Sequence, residues 1–176
     1  MKPMKILIVS ITALYLSIAH SSVSDDMYVV LGDIGLSREQ TRTVYKKLGQ
    51  NYSKNKLLEN IGWLQGQGVS KIGKIIDSLP AILGLSIEDN LQPKVDWLKS
   101  QGVSKIGKII DSNPSILNLS IKDSLQPKVD WLKSQGVSKI GKIIDSNPAI
   151  LGLSIEDNLQ PKVDWLKSQG VSKIGK

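Results

Sequence analysis

WLKSQGVSKIGKIIDSNPSILNLSIKDSLQPKVD fills Trp97–Asp130, and an almost identical text follows it. The block Trp131–Asp164 departs from it at four positions: Ser115/Ala149, Asn118/Gly152, Lys122/Glu156 and Ser124/Asn158. The preceding block, Trp63–Asp96, departs from Trp131–Asp164 at three: Gln65/Lys133, Gly66/Ser134 and Leu79/Asn147. Trp63, Trp97, Trp131 and Trp165 therefore recur every 34 residues. A fixed period of this size marks stacked supersecondary units, none of which buries its apolar face alone. The expected architecture is an all-α helical-repeat solenoid, right- or left-handed, with an extended surface rather than a deep pocket.

Within one unit the signals are helical throughout. Ser86-Ile-Glu-Asp89 has the Ser-x-x-acid spacing of a helix start. Pro93 follows seven residues in and cannot donate to the preceding turn, so two readings are open. Either a short turn precedes a helix starting near Gln92, or one helix is kinked there. Leu91, Val95 and Leu98 then follow the i, i+4, i+7 spacing of a buried stripe, and Gly102 supplies the stop. A second helix starts at Ser104 and offers Ile106, Ile109 and Ile110 as its apolar face. Pro114 ends it and opens a single further turn. Gly73, Gly107, Gly141 and Gly175 interrupt the second helices, each at a cost of roughly 1 kcal/mol relative to alanine. Tight helix packing or close approach of a ligand would each explain them.

Composition narrows the chemistry. There is no Cys, and the single histidine is His20. Disulfides, thiolate metal sites and Cys nucleophiles are excluded from this sequence, and so is a histidine base or zinc site in the repeats. The pairs Glu88/Asp89 and Glu156/Asp157 stand at helix starts, where they favour the dipole. No enzyme, no metal, no cofactor and no small-molecule substrate are expected. Formal net charge is +7, with +3 in residues 1–62, −1, +2 and 0 in the three full blocks, and +3 in 165–176. A basic balance favours polyanionic partners.

The organisation expected is a targeting segment at 1–22, a linker at 23–34 and a repeat array at 35–176. The array comprises a degenerate copy at 35–62, three near-identical copies at 63–164 and a partial copy at 165–176. Lys2 and Lys5 precede an apolar run from Ile6 to Ala19, the layout of a secretory-type signal peptide. The sequence stops at Lys176, part-way through a second helix. A solenoid ending on an apolar face frays or self-associates through that uncapped C-terminal end.

Leu125-Gln-Pro-Lys-Val-Asp-Trp-Leu-Lys-Ser-Gln-Gly-Val-Ser138, then Ile-Ile-Asp-Ser-Asn-Pro148 and Ile150-Leu151, resembles the mitochondrial transcription termination factor (mTERF) family. Gly35-Leu36-Ser37 and the pair Leu57/Trp63 extend the likeness into the degenerate copy, which lacks both prolines. The resemblance implies three-helix units of two α-helices and a short turn. It also implies non-enzymatic action on organellar nucleic acid: transcription termination or regulation, RNA processing or ribosome assembly in mitochondria or plastids. A secretory-type leader fits import into a plastid bounded by extra membranes, or else the secretory pathway. A tetratricopeptide array, which shares the period, would need Trp-x2-Leu-Gly-x2-Tyr, and Trp97 is followed by Leu98, Lys99 and Ser100.

The candidate nucleic-acid-binding residues are Lys71, Lys74, Lys105, Lys108, Lys139, Lys142 and Lys173, which recur with Lys176 as i, i+3 pairs opposite the isoleucine stripe. Stacked at a constant period they would form a ladder along a phosphate backbone, with Lys99, Lys133 and Lys167 beside it. The competing reading is an ordinary solvated face, because Asp77, Asp111 and Asp145 each lie three residues after a ladder lysine and could pair with it. Arg38 and Arg42 are the only arginines, so bidentate guanine reading is missing from the repeats and binding should be weakly sequence-specific. The tryptophans suit inter-repeat packing or base stacking. The function expected is binding of double-stranded nucleic acid, DNA foremost; the alternatives are a protein-binding scaffold or a truncated copy without function.

Overall fold

A computed structural model describes residues 25–49 and 53–174, so the leader read at 1–22, Gly175 and Lys176 lie outside the described residues. Within them the regular elements are helical and no strand occurs. Helix α1 spans 25–33. It is followed by α2 (Arg38–Leu48), α3 (Lys54–Gly66), α4 (Ile72–Ser78), α5 (Gln92–Ser100), α6 (Ile106–Ser112), α7 (Gln126–Ser134), α8 (Ile140–Ser146) and α9 (Gln160–Ser168). Each full repeat is a first helix, a seven-residue second helix and a 3-10 turn, such as Pro114–Asn118. Second helices stack on one another, as α6 does on α8, and the 3-10 turns stack likewise.

Residues 23–34, expected to be a linker, contain α1 instead. Met27, Val30 and Leu31 follow the i, i+3, i+4 pattern of one face, and all three are buried, Leu31 completely. The helix ends in a Schellman turn at Gly35 (φ 90°), where Gly35 N–H donates to Gly32 and Leu36 N–H to Leu31. The same pair of bonds closes α5 at Gly102, from Gly102 N–H to Lys99 and from Val103 N–H to Leu98. Thus α1 is a first helix and α2 a second helix of the degenerate unit, which begins ahead of residue 35.

The proline question resolves as a widened turn. Ser86 caps the start by accepting from Asp89 N–H, and Ile87–Leu91 forms a π-helical turn that runs directly into α5. Leu91 N–H reaches Ser86 and Gln92 N–H reaches Ile87, both five residues back. A regular turn would press the Pro93 ring against the carbonyl of Asp89, and the wider turn relieves that clash without breaking the helix. The same device recurs before α7 and α9, so it belongs to the repeat.

Leu91, Val95, Leu98, Ile109, Ile110 and Leu117 are all buried in one continuous core that runs the length of the stack. Trp63, Trp97 and Trp131 are half-buried against it, whereas Trp165 is 63% exposed.

Candidate nucleic-acid interface

The joint between repeats positions the second helices, and a glycine and an aspartate make that joint. A Cβ built at Gly107 on α6 would collide with the carbonyl group of Gly68, which ends the previous first helix. At Gly141 it would collide with Gly102, and at Gly73 with the carbonyl of Ile34. The helical glycines are therefore there for close approach of backbone to backbone between repeats.

One helical turn beyond Gly107, Asp111 receives Ser70 N–H (3.1 Å), Ser70 Oγ–H (2.6 Å) and Lys71 N–H (2.7 Å). Asp145 receives the same set from Ser104 and Lys105, at 3.1, 2.7 and 2.9 Å. Helices α4 and α6 have lysines at their N-cap positions, Lys71 and Lys105, and neither caps its own helix. The cap comes from the following repeat, which places a carboxylate at the positive end of the helix and satisfies two orphan N–H groups. Burial alone would push the Asp111 carboxyl up. The Ser70 hydroxyl, the N–H groups of Lys71 and Ser70 and the Lys71 ammonium outweigh it and hold the carboxyl below its ordinary value. Asp145 is depressed in the same way by Ser104 and Lys105. At the first joint Asp77 instead receives Gln40 Nε2–H at 2.9 Å, because the Ser37 N–H is taken by the Gln40 side chain.

A second inter-repeat bond involves the tryptophans. Trp63 donates through Nε1 to Gln92, Trp97 to Gln126 and Trp131 to Gln160, each at 2.9 Å. Gln92 in turn donates to Asp96, as Gln126 does to Asp130. Half-buried rings tied to the next repeat fit packing better than base stacking.

Each lysine of the sequence-derived ladder that falls within the described residues is exposed: Lys71, Lys74, Lys105, Lys108, Lys139, Lys142 and Lys173. Lys105 and Lys108 lie at the start of α6, and Lys139 and Lys142 at the start of the adjacent α8. Lys173 lies outside any helix, in the segment after α9. Asp77, Asp111 and Asp145, which by spacing alone could pair with lysines three residues earlier, accept instead from Gln40, from Ser70 and Lys71, and from Ser104 and Lys105. Among the described residues the ion pairs are Lys54–Asp26 (2.8 Å) and Lys56–Glu59 (3.1 Å), both towards the N-terminal end.

Lys94 behaves differently. It is 9% exposed, and burial pulls its ammonium below the ordinary lysine range. It occupies, one period on, the place of Asn60, whose buried amide donates to the carbonyls of Ile82 and Leu83 in the next 3-10 turn and of Leu85 just after it. Its counterparts Lys128 and Lys162 are half-buried and exposed.

No group of side chains suited to holding a metal ion occurs among the described residues, and no helix among them is long and apolar enough to cross a membrane. A family model described as mTERF matches residues 14–102 and 95–176, which together span most of the chain. No match was found among curated proteins or among solved structures.

Proposed function

The chain belongs to the mTERF family, and on that premise we propose that it is a non-enzymatic protein that binds double-stranded nucleic acid and regulates gene expression in an organelle. One observation carries this reading. The exposed lysine pairs recur on consecutive second helices, while Asp111 and Asp145 are spent on backbone N–H groups of the neighbouring repeat and Asp77 on the Gln40 amide. Ammonium groups repeated along a stack suit a phosphate backbone, whose charges also repeat. The absence of arginine from the repeats fits binding that follows shape and charge rather than base sequence. Entry into a plastid or mitochondrion through the 1–22 leader is part of the proposal.

The test is a salt titration of the full chain against a generic DNA duplex, read by fluorescence anisotropy. With roughly five lysines on phosphates, log affinity falls with log salt at a slope near −4 to −5. Reversing Lys105, Lys108, Lys139 and Lys142 together to glutamate abolishes binding. Unchanged affinity in that variant retires the ladder. No binding even at low salt favours the protein-binding scaffold.

A further inference from the structure

Between α6 and α8 the surface opens into a groove of about 330 Å³ whose walls carry Lys108, Ser112 and Asn113 on one side and Asp145, Ser146 and Asn147 on the other. Lys108 belongs to the lysine ladder, so the groove and the ladder are parts of one surface. The charges are arranged across it: one ammonium on the first wall, one carboxylate on the second. Hydroxyl and carboxamide groups line the same two walls. The Ser112 hydroxyl donates to Lys108 O (2.9 Å) and the Ser146 hydroxyl to Ile143 O (2.9 Å), which leaves their oxygens as acceptors. Asn113 is fixed by the Ser115 hydroxyl (2.7 Å) and by the Pro148 carbonyl (3.4 Å). Asn147 is exposed, and Ala149 stands where Ser115 would hold its amide oxygen, so its carboxamide can turn toward a ligand.

We infer that this groove seats one ribose–phosphate unit of a nucleic-acid strand and distinguishes ribose from deoxyribose. Lys108 takes the phosphate. Asp145, whose oxygens are taken by Ser104 and Lys105, repels a second phosphate on the opposite wall, and Ser146 and Asn147 beside it offer partners to a hydroxyl. A 2′-hydroxyl, which donates and accepts at once, is the nucleic-acid group that matches such a wall. A deoxyribose leaves these polar groups without a strand partner. The inference rests on the nucleic-acid reading above and specifies the strand chemistry at one step of the array. The step before it differs, because Leu79 replaces Asn113 there.

The experiment measures the affinity of the full chain for three duplexes of one sequence, made of DNA, of RNA and of 2′-fluoro RNA. The last keeps the A-form shape but removes the hydroxyl donor. The RNA duplex is expected to bind about 2- to 10-fold more tightly than DNA, the gain of one net hydrogen bond. The 2′-fluoro duplex falls back toward the DNA value. Asn113→Leu/Asn147→Leu, which installs the residue the first repeat carries at this register, removes the RNA preference and leaves the salt slope unchanged. Equal affinity for RNA and DNA overturns the inference while the ladder stands. So does 2′-fluoro binding equal to RNA, or a preference that survives the double substitution. Failure to bind any of the three duplexes removes both readings.

Discussion

At the scale of single residues, the same amino acid plays opposite parts in neighbouring helices. Gly→Ala inside a helix normally stabilises by up to about 1 kcal/mol. Gly62 in α3 has open space around its missing Cβ, so Gly62→Ala should raise the thermal midpoint. Gly107→Ala drives a methyl into the Gly68 carbonyl and should cost about 1–3 kcal/mol net, lowering the midpoint in the same scan. The aspartate one turn on carries the pH dependence. Asp111 and Asp145 have depressed carboxyl pKa values in the folded chain, so their contribution is complete above the ordinary carboxylate value of about 3.9. It is lost as pH falls through the lower folded values. Asp111→Asn/Asp145→Asn should therefore be less stable than the parent at pH 7, and the gap should close toward pH 2 in denaturant titrations. Neither role was legible from one repeat alone. Sequence spacing put Asp111 beside Lys108 on its own helix, whereas its partners Ser70 and Lys71 lie 41 and 40 residues away, across a stacking contact.

Among the elements, the first helix, second helix and 3-10 turn were readable because each boundary has a local cause. Ser86, Gly102 and Pro114 act through their own backbone and need no neighbour. Pro93 by itself is compatible with a separate short turn before the helix or with a kinked helix, since either accommodates the missing N–H. Only the five-residue bonds at Leu91 and Gln92 decide for a continuous, widened helix. Helix α1 was missed because the apolar triad Met27, Val30 and Leu31 lies next to the leader and outside the periodic text, although its spacing was there to be counted. The candidate lysines were legible as a ladder from period alone. The groove beside them was not, because its two walls come from helices one repeat apart. Inter-repeat tryptophan bonds give a contrast within one chain. Trp97→Phe keeps a ring but leaves Gln126 without its donor, and should lose about 1 kcal/mol in chemical denaturation. Trp165→Phe, at the exposed member of the series, should be close to neutral.

For the whole molecule, burial thins toward the C-terminal end. Equivalent first-helix leucines run from fully buried Leu98 through Leu132, at 5% exposure, to half-buried Leu166. Local opening follows buried apolar contact, so amide hydrogen exchange should be slowest across α4–α6 and fastest across α9. Uniform protection along the array would contradict a stack in which each unit is held by its neighbours. The glycine–aspartate joint has a further consequence for inheritance. Its two halves, Gly-Val-Ser-Lys on one unit and Gly-Lys-Ile-Ile-Asp on the next, are spelled identically at both complete joints between full copies. A whole cassette inserted or deleted in frame would leave every remaining junction with matching partners. Length can therefore change by copying alone, turning the molecule into a ruler whose graduations are added one at a time.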